Sequence, residues 1–452
     1  MMDDNNRWDK DFPEQWERVP LKSKFTFGKG LSIKKTDLTE QGENVISYGQ
    51  IHAKWNSNVH CHNELLRHVP QTFCNGSDSS IAKRNGFIFA DTSEDLDGVG
   101  NCAFIDSDKT IYAGYHTVLL TPIEDHDNKY LAYLFTTDTW RYQIRRHLTE
   151  VKVFSISQKT LKRTYIVLPP SDIQHAIASF LDRKCAAIDD SIAKHKAIIE
   201  KLEEYRKAEI TRAVTKGLNP DAKMKDASFL WLQSIPEAWG IFKLSHILDF
   251  NHPYPLGDGD HGSIKANDYA NTGIPFIRVQ NLGYAEPINT NNMVYITPEQ
   301  NETIKNSTLH PGDILFAKTG ATIGKTAIVP PSIAIANTTS HVGKITVDLT
   351  CFYPKYIYYA LSSEVGNHQL WEIAGKKATR PEVGLDEVKY LKLLIPFSLD
   401  EQKQIADYLD AILDKCDTAI NQHTQIISKL EEYKKSLIYN AVTGKIDCRE
   451  GA

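Results

Sequence analysis

The chain has 452 residues, of which 41% are hydrophobic and 24% are charged, with 25 glycines and 19 prolines. This length is sufficient for two or three domains of about 100–200 residues, and the composition excludes a disordered or collagen-like chain. The formal net charge is −5, from 52 basic and 57 acidic residues. The chain as a whole therefore does not attract nucleic acid, and binding of DNA or RNA would require local clusters of basic residues.

The cysteines and the apolar segments indicate the compartment. None of the seven cysteines forms a Cys-x-x-Cys pair, which argues against a disulfide framework and against a common zinc site. The opening Met-Met-Asp-Asp-Asn-Asn lacks the apolar segment of an export signal, and no apolar run reaches the roughly 18 residues of a membrane span. We expect a soluble protein of the reducing cytoplasm that has no membrane association.

The sequence repeats itself at a distance of about 225 residues. Three pairs of matching phrases show the repeat: Pro13–Trp16 with Pro236–Trp239, Lys201–Tyr205 with Lys429–Tyr433, and Ala213–Thr215 with Ala441–Thr443. The second and third pairs share one offset, 228 residues, which chance does not produce repeatedly. The repeat predicts two copies of one structural unit, separated by small insertions and deletions.

The first part of each copy, residues 13–169 and 236–396, predicts a mixed α/β globule. It contains short runs of β-branched and aromatic residues between Gly, Asn and Pro, which is typical of strands and turns. The clearest runs are Asn44–Ile51, Gly86–Ala90, Gly273–Val279 and Asp313–Ala317.

The second part of each copy predicts one long helix. The helix follows a proline and begins with a capping box, Ser171 to Gln174 in the first copy and Ser398 to Glu401 in the second. It ends at a glycine, Gly217 or Gly444, as helices often do.

Both predicted helices carry the same apolar seam at alternating spacings of four and three. Its positions are Ile188, Ile192, His195, Ile199 and Leu202 in the first helix and Cys416, Ile420, His423, Ile427 and Leu430 in the second. Each helix could pack only on its own globule, but two equal seams in one chain favour pairing with each other. If the two copies are related by a pseudo-twofold axis, the helices form an antiparallel coiled coil.

Three motifs suggest chemistry that the surrounding residues do not support. Gly320–Thr326 has three residues between its glycines where a phosphate-binding loop needs four. Asn251–Tyr254 has His in place of the first proline of the Asn-Pro-Pro-Tyr motif of adenine methyltransferases, and His60-Cys61-His62 fits no standard metal spacing. We therefore expect no catalytic site, no metal site and no bound cofactor in this chain.

The arrangement of these phrases resembles the specificity subunit of type I restriction-modification enzymes. Each copy opens with Pro-Glu-x-Trp and closes with a helix that runs through Leu-Glu-Glu-Tyr to Ala-Val-Thr. Ile46–His52, Phe89–Asp95, Gly273–Val279 and Gly312–Gly320 are similar to phrases of the target recognition domains of that family. The resemblance covers the whole chain apart from the first dozen residues.

The resemblance implies an α/β (α+β) fold with two tandem target recognition domains separated by two long helices. The implied division is 1–12 N-terminal extension, 13–169 first recognition domain, 170–235 first helical spacer and linker, 236–396 second recognition domain, and 397–452 second helical spacer and tail. Each domain would read one half of a bipartite double-stranded DNA target, and the helices would set the spacer between the halves.

The resemblance also implies partners for a chain without catalysis of its own. Two methyltransferase subunits would dock on the helices and carry S-adenosylmethionine, and motor subunits with nuclease activity would use ATP and Mg²⁺. Two alternatives stay open: part of another restriction-methylation enzyme, for which the chain is short, and a coiled-coil scaffold without DNA, which leaves the globules unexplained.

Candidate DNA contacts follow from side-chain chemistry and position. Arg, Asn and Gln read base edges, and Lys and Arg contact phosphates. The base candidates, at the exits of two predicted strands, are Gln50, His52, Lys54, Arg278, Gln280 and Asn281. The phosphate candidates, in local basic clusters, are Lys29, Lys34, Lys35, Lys83, Arg84, Arg141, Arg145, Arg146, Lys318, Lys325, Lys376, Lys377 and Arg380.

Overall fold

The computed structural model describes residues 8–124, 126–146, 148, 153–375 and 381–449. The chain divides into two compact units. Unit 1 comprises residues 1–195 and 425–452, and unit 2 comprises residues 196–424. Each unit therefore contains one globule together with one portion of each long helix.

The described part of unit 1 contains eleven strands. They are β1 (Glu17–Pro20), β2 (Phe25–Lys29), β3 (Glu43–Ile46), β4 (Arg67–Val69), β5 (Phe87–Ala90), β6 (Thr92–Ser93), β7 (Cys102–Phe104), β8 (Ile111–Ala113), β9 (Thr117–Pro122), β10 (Phe154–Ser155) and β11 (Tyr165–Leu168). Its short helices are α1 (Tyr48–Ile51), α2 (Lys129–Thr136), α3 (Asp138–Arg145) and α4 (Gln158–Lys162).

Two sheets form the body of unit 1. One is fully antiparallel, with the strand order β2-β9-β5-β7. The other has the order β4-β3-β8, in which β3 runs antiparallel to β4 and parallel to β8. The pairs β1-β11 and β6-β10 complete the unit.

Unit 2 has a matching set of elements. Its strands are β12 (Met224–Phe229), β13 (Leu232–Pro236), β14 (Trp239–Lys243), β15 (Leu256–Asp258), β16 (Ile274–Ile277), β17 (Val294–Ile296), β18 (Ile314–Ala317), β19 (Thr326–Ile328), β20 (Asn337–Thr338), β21 (Val342–Ile345) and β22 (Lys392–Pro396). Its short helices are α6 (Pro298–Thr303), α7 (Pro354–Ser362), α8 (Glu364–Gly375) and α9 (Leu385–Val388).

The sheets of unit 2 repeat the topology of unit 1. The order β15-β21-β18-β19 is again fully antiparallel, and β16 again runs antiparallel to one neighbour, β17, and parallel to the other, β20. The pair β14-β22 corresponds to β1-β11. The internal repeat and the mixed α+β class predicted from the sequence are thus confirmed.

Aromatic side chains fill the core between sheet and helices in unit 1. Phe135 packs against Trp140 with ring centroids 4.2 Å apart and against Phe87 at 4.9 Å, and all three are buried. The Trp140 indole N–H donates to the Tyr165 carbonyl at 3.1 Å, so its polar atom is satisfied in the core. This core fixes helices α2 and α3 against β5.

Two helices are much longer than the others: α5 (Ser171–Lys216, 46 residues) and α10 (Leu399–Val442, 44 residues). Ser171 lies inside α5, and the Gln174 amide donates to the Pro169 carbonyl at 2.8 Å, so the predicted capping box is wrong there. In α10, one hydrogen bond of the predicted capping box is present, because Ser398 Oγ accepts from the Glu401 N–H at 3.3 Å. The Glu401 carboxylate accepts instead from the Trp239 indole, at 2.9 Å. No described helix is long and apolar enough to cross a bilayer.

Within each unit the two long helices run antiparallel. In unit 1, Asp189 of α5 pairs with Lys434 of α10 at 2.7 Å, and Ile188 shares a core with Leu437. In unit 2, Arg206 pairs with Asp417 at 2.9 Å. Along each helix the ten predicted seam positions are buried or half-buried: Ile188, Ile192, His195, Ile199, Leu202, Cys416, Ile420, His423, Ile427 and Leu430.

Glycines end both long helices beside the tryptophans of the Pro-Glu-x-Trp phrases. Gly217 has φ +72° and lies on Trp239, and Gly444 has φ +71° and lies on Trp16. A Cβ atom at Gly444 would come within 2.9 Å of the Trp16 ring. Left-handed backbone and tight packing both require glycine here, which explains why these phrases recur together in the sequence.

Two segments outside the predicted globules are also ordered parts of the units. Phe12 is buried in the core of unit 1, and Asp9 forms an ion pair with Arg18 at 2.5 Å. Residues 224–235, predicted as linker, form the hairpin β12-β13 of unit 2 together with Pro236. Both segments precede the Pro-Glu-x-Trp phrase of their copy.

A buried lysine holds helix α2 to α5 in unit 1. Lys129 Nζ donates to the Val59 carbonyl at 2.6 Å and lies 3.8 Å from Asp182, which accepts from Tyr133 at 2.6 Å. His60 completes the cluster, with Nδ1 2.9 Å from Asp106 and Nε2 3.4 Å from Asp182. A hydrogen bond to Asp106, and to a smaller extent one to Asp182, raises the pKa of His60 to about 9. Burial and the positive charge of Lys129 act in the opposite direction.

The raised pKa predicts that unit 1 loses stability in alkaline solution. A group whose pKa is higher when folded than its unfolded value of about 6.5 stabilises the fold fully below that value, and the contribution disappears as pH rises through about 9. We expect His60→Gln to lower the melting temperature by a few degrees at pH 6 and by much less at pH 10. Thermal unfolding of parent and variant at both values measures this difference, and an equal loss at both would contradict it.

Candidate nucleic-acid interface

Three chain segments of unit 1, together with Val153, line a recess of about 750 Å³. They are the turn from α1 to His52, the segment Thr92–Asn101 that follows β5, and the turn that places His116 before β9. All three segments follow or precede strands of the two main sheets, so the sheets fix their relative positions. The recess therefore presents polar side chains from rigid elements rather than from one loop.

His52 forms one wall of the recess in a defined tautomer. Its Nε2 lies 2.7 Å from the Thr92 carbonyl, which can only accept, so Nε2 carries the proton. The unprotonated Nδ1 faces the Asn101 amide at 3.4 Å. A Cβ atom at Gly98 would lie 2.9 Å from Nδ1, so glycine at this position is what lets the segment approach His52.

The rim of the recess is acidic, and two arginines hold its backbone in place. Glu94, Asp95 and Asp97 are exposed along the segment after β5. Arg141 donates to the Asp97 carbonyl at 3.0 Å, and Arg145 donates to the same carbonyl at 3.2 Å. A recess with carboxylates at its rim repels phosphate, so its chemistry suits base edges, which offer hydrogen-bond donors.

Unit 2 has an equivalent turn with different chemistry. Lys318 N–H donates to the His341 carbonyl at 2.9 Å, as Asp91 N–H does to the His116 carbonyl at 3.1 Å in unit 1. The Lys318 side chain is buried and forms an ion pair with Asp258. His341 is exposed, and its Nδ1 lies 3.3 Å from the Thr319 hydroxyl.

The structure corrects the local prediction around the base candidates. Asn44–Ile51 was predicted as one strand, but β3 ends at Ile46 and α1 follows, because Gln50 Oε1 accepts from Ser47 N–H at 3.1 Å. In unit 2, Asn281 caps the turn after β16 in the same way, because its side-chain oxygen accepts from Arg278 N–H at 2.9 Å. Asn281 is fully buried and also donates to the Asn289 carbonyl at 2.8 Å, so it is wrong as a base contact.

The other base candidates lie at or near the surface. Lys54 and Gln280 are exposed, and His52 is half-buried in the recess. Arg278 is also half-buried, donates to the Asn292 carbonyl at 2.7 Å and lies over the Tyr269 ring at 5.7 Å.

Two of the phosphate candidates are wrong because they are buried. Arg141 donates its Nε to the Phe135 carbonyl at 2.8 Å, and burial lowers its pKa to about 10. Lys318 is neutralised by Asp258 inside unit 2. Arg141 supports the recess of unit 1 and Lys318 supports the equivalent turn of unit 2, and neither side chain faces solvent.

The remaining phosphate candidates stay predictions. Exposed residues are Lys29, Lys34, Lys35, Lys83, Arg84 and Arg146, of which Arg84 forms an ion pair with Asp108. Arg145 pairs with Asp138 at 2.7 Å, and Lys325, half-buried, lies over the Tyr284 ring at 5.9 Å. Lys376, Lys377 and Arg380 lie outside the described residues.

Sequence reasoning missed Asn101, His116 and His341. His116 and His341 stand 225 residues apart, at the same turn of the two copies, so extending the repeat through this region would have found them. Among the described residues, no group of three or more His, Cys, Asp or Glu is placed to hold a metal ion. His60 and Cys61 instead contact Asp106, through Nδ1 and a backbone N–H respectively, both at 2.9 Å.

Comparison with known proteins agrees with this architecture. A family described as the type I restriction modification DNA specificity domain matches residues 13–204 and 236–432. The type I restriction enzyme EcoBI specificity subunit of Escherichia coli is 27% identical over 308 residues, which are 67% of this chain and 63% of that protein. The alignment thus spans less than two thirds of that relative.

One solved structure with a TM-score above 0.5 shows the same fold. A chain from work on complex assembly and conformational transition of the type I restriction-modification system superimposes with a TM-score of 0.68 at 15% identity, covering 96% of this chain and 99% of that one. The HsdS subunit from Thermoanaerobacter tengcongensis gives a TM-score of 0.48 at 14% identity, over 96% and 98% of the two chains. Because the family match includes both copies of the repeat and most of the chain, the protein belongs to the family of type I restriction-modification DNA specificity domains.

Proposed function

We propose that this chain is the DNA sequence-recognition subunit of a type I restriction-modification complex. Each unit would read one half of a bipartite double-stranded target. The observation that carries the proposal is the duplication: one globule with one sheet topology is built twice in a chain of the specificity family. The units differ in the side chains at equivalent turns, Asp91 against Lys318 for example, which suits two different half-sites.

The helices α5 and α10 are the proposed spacer and docking elements. Each runs without interruption from residues of one unit into residues of the other, so each is a continuous covalent link between the two recognition globules. We expect them to set the number of unread bases and to bind two methyltransferase subunits. S-adenosylmethionine, ATP and Mg²⁺ would be bound by the methyltransferase and restriction subunits, and this chain would be cytoplasmic and non-catalytic.

The net charge supports a requirement for partners. At −5 the chain repels DNA at long range, and the rim of the unit 1 recess adds carboxylates. Sequence readers that lack a strong phosphate-binding surface bind weakly, because phosphate contacts supply most of the sequence-independent affinity. Partner subunits that bind the duplex would supply this sequence-independent affinity.

The proposal predicts a clear difference between the isolated chain and the complex. The purified chain should not transfer methyl groups from S-adenosylmethionine and should bind random DNA weakly, with further loss at higher salt. Co-expressed with its methyltransferase subunits, it should bind tightly and methylate one bipartite sequence. Filter binding and methyl transfer at two salt concentrations measure both properties. Methyl transfer by the chain alone, or a complex without sequence preference, would contradict the proposal.

A further inference from the structure

His116 combines an exposed side chain with a left-handed backbone at the turn before β9. Its side chain is 58% exposed, and its backbone has φ +54°, a left-handed conformation that non-glycine residues adopt rarely. Strained backbone of this kind persists where the surroundings enforce it, and it clusters at functional sites. The enforcing contacts are present: the His116 carbonyl accepts from Asp91 N–H, and the Tyr48 ring packs edge-on against the imidazole at 5.5 Å.

The imidazole has one oriented end and one open end. Its Nδ1 lies 3.3 Å from Asp91 Oδ1, an oxygen that is buried and accepts no hydrogen bond from any described side chain or backbone group. Within the same part of the chain, no hydrogen-bond partner of Nε2 is found, and the residue lines the recess. The contact with Asp91 therefore sets the orientation and leaves Nε2 for a ligand.

The carboxylate also selects the tautomer. The contact lies outside hydrogen-bond geometry, but a lone pair on Nδ1 would face the negative Asp91 oxygen at 3.3 Å and be repelled, so Asp91 favours the imidazole that carries its proton on Nδ1. The Nε2 atom of that tautomer is a hydrogen-bond acceptor. In the major groove, the groups that donate to an acceptor are the amino groups of adenine N6 and cytosine N4. The exposed carboxylates of Glu94 and Asp95 give the rest of the recess the same preference.

We propose that His116, oriented by Asp91, reads an adenine or cytosine in the half-site of unit 1. The inference rests on the proposed function and specifies one of its base contacts. Asp91 acts as a positioning residue, and His116 is the residue that touches the base. The equivalent His341 faces the Thr319 hydroxyl, which can donate or accept, so the same tautomer is not imposed in unit 2.

The test uses the complex with its methyltransferase subunits in cells that lack other adenine methylation. Long-read mapping of methylated adenines would compare the parent with His116→Asn, His116→Ala and Asp91→Asn. Asparagine tolerates positive φ, so His116→Asn keeps the turn while removing the imidazole. His126→Asn is the matched control, because His126 is exposed in unit 1 and does not line the recess.

The expected result is a change at one position of one half-site. Losing a good base contact costs about 5- to 100-fold in discrimination, so both His116 variants should accept several bases at a position where the parent requires adenine or cytosine. Asp91→Asn places an amide near Nδ1 that can donate, which favours the proton on Nε2 and shifts the preference toward guanine or thymine. The control should keep the parental motif.

Two outcomes would overturn the inference, and they are distinguishable. If the parent methylates a bipartite motif and both His116 variants keep every position of it, His116 does not read a base, while the proposed function stands. If the parent directs no bipartite methylation, the proposed function fails and this inference falls with it. Thermal unfolding of each purified variant shows that lost specificity is not lost folding.

Discussion

Replacing Asp258 with alanine is expected to destabilise unit 2 by about 3–5 kcal/mol. Lys318 is only 4% exposed and forms its ion pair with this carboxylate, so the variant would leave a buried, uncompensated charge. For a domain of this size the loss corresponds to a fall in melting temperature of about 6 to 20 °C. Urea unfolding and thermal unfolding of the purified chain measure the effect.

A double variant separates the charge from the packing. In Asp258→Leu with Lys318→Met, both charged groups are replaced by apolar groups of similar size, and such replacements are often neutral. We expect the double variant to recover most of the lost stability. If Lys318 were instead a phosphate contact, Lys318→Met alone would leave unfolding unchanged and would reduce the salt dependence of DNA binding by about one phosphate contact.

The duplicated architecture of this fold was predictable from the sequence because it depends on the spacing of residues along the chain. The repeat, the two long helices and their terminal glycines depend on periodicity and on backbone conformations that few residue types adopt. The recurrence of Trp16 and Trp239 beside Gly444 and Gly217 has one physical cause, the packing of each tryptophan on a helix end. The repeat and the helix ends can therefore be recognised in the sequence without knowledge of tertiary contacts.

The site was less predictable because burial decides which charged or polar side chains face solvent. Lys318 and Lys325 lie seven residues apart with similar neighbours, yet in the described part of the chain Lys318 pairs with a carboxylate 60 positions away, whereas Lys325 lies over the Tyr284 ring. Likewise, Gln50 and Asn281 look like base readers in a strand but cap the turn that ends the strand. Local hydrogen bonding to the backbone competes with the predicted role, and sequence spacing does not show which prevails.

The recess itself required the fold. Tyr48, Asn101 and His116 come from three segments that are distant in sequence and that meet only in the fold, in which β5 and β9 pair in one sheet and β3 belongs to the other. The residues that hold these segments, Arg141 and Asp91 among them, gave only a generic signal of charge. The sequence was therefore sufficient for the architecture and insufficient for the interface.

Exchange of one globule tests most directly whether each unit reads its own half-site. Residues 236–396 would be replaced by the corresponding segment of a relative with a different target, leaving residues 13–169 and both long helices unchanged. Because each globule has its own core and its own sheets, the chimera should fold and assemble with the methyltransferase subunits. The control is the reciprocal exchange of residues 13–169.

The deciding measurement is the map of methylated adenines in cells that carry each chimera. We expect one half of the bipartite motif to change with each exchange, a different half in the two chimeras, while the other half and the spacer length stay those of the parent. If a single exchange changed both halves together, or if the two reciprocal exchanges altered the same half, the assignment of one half-site to each unit would be wrong.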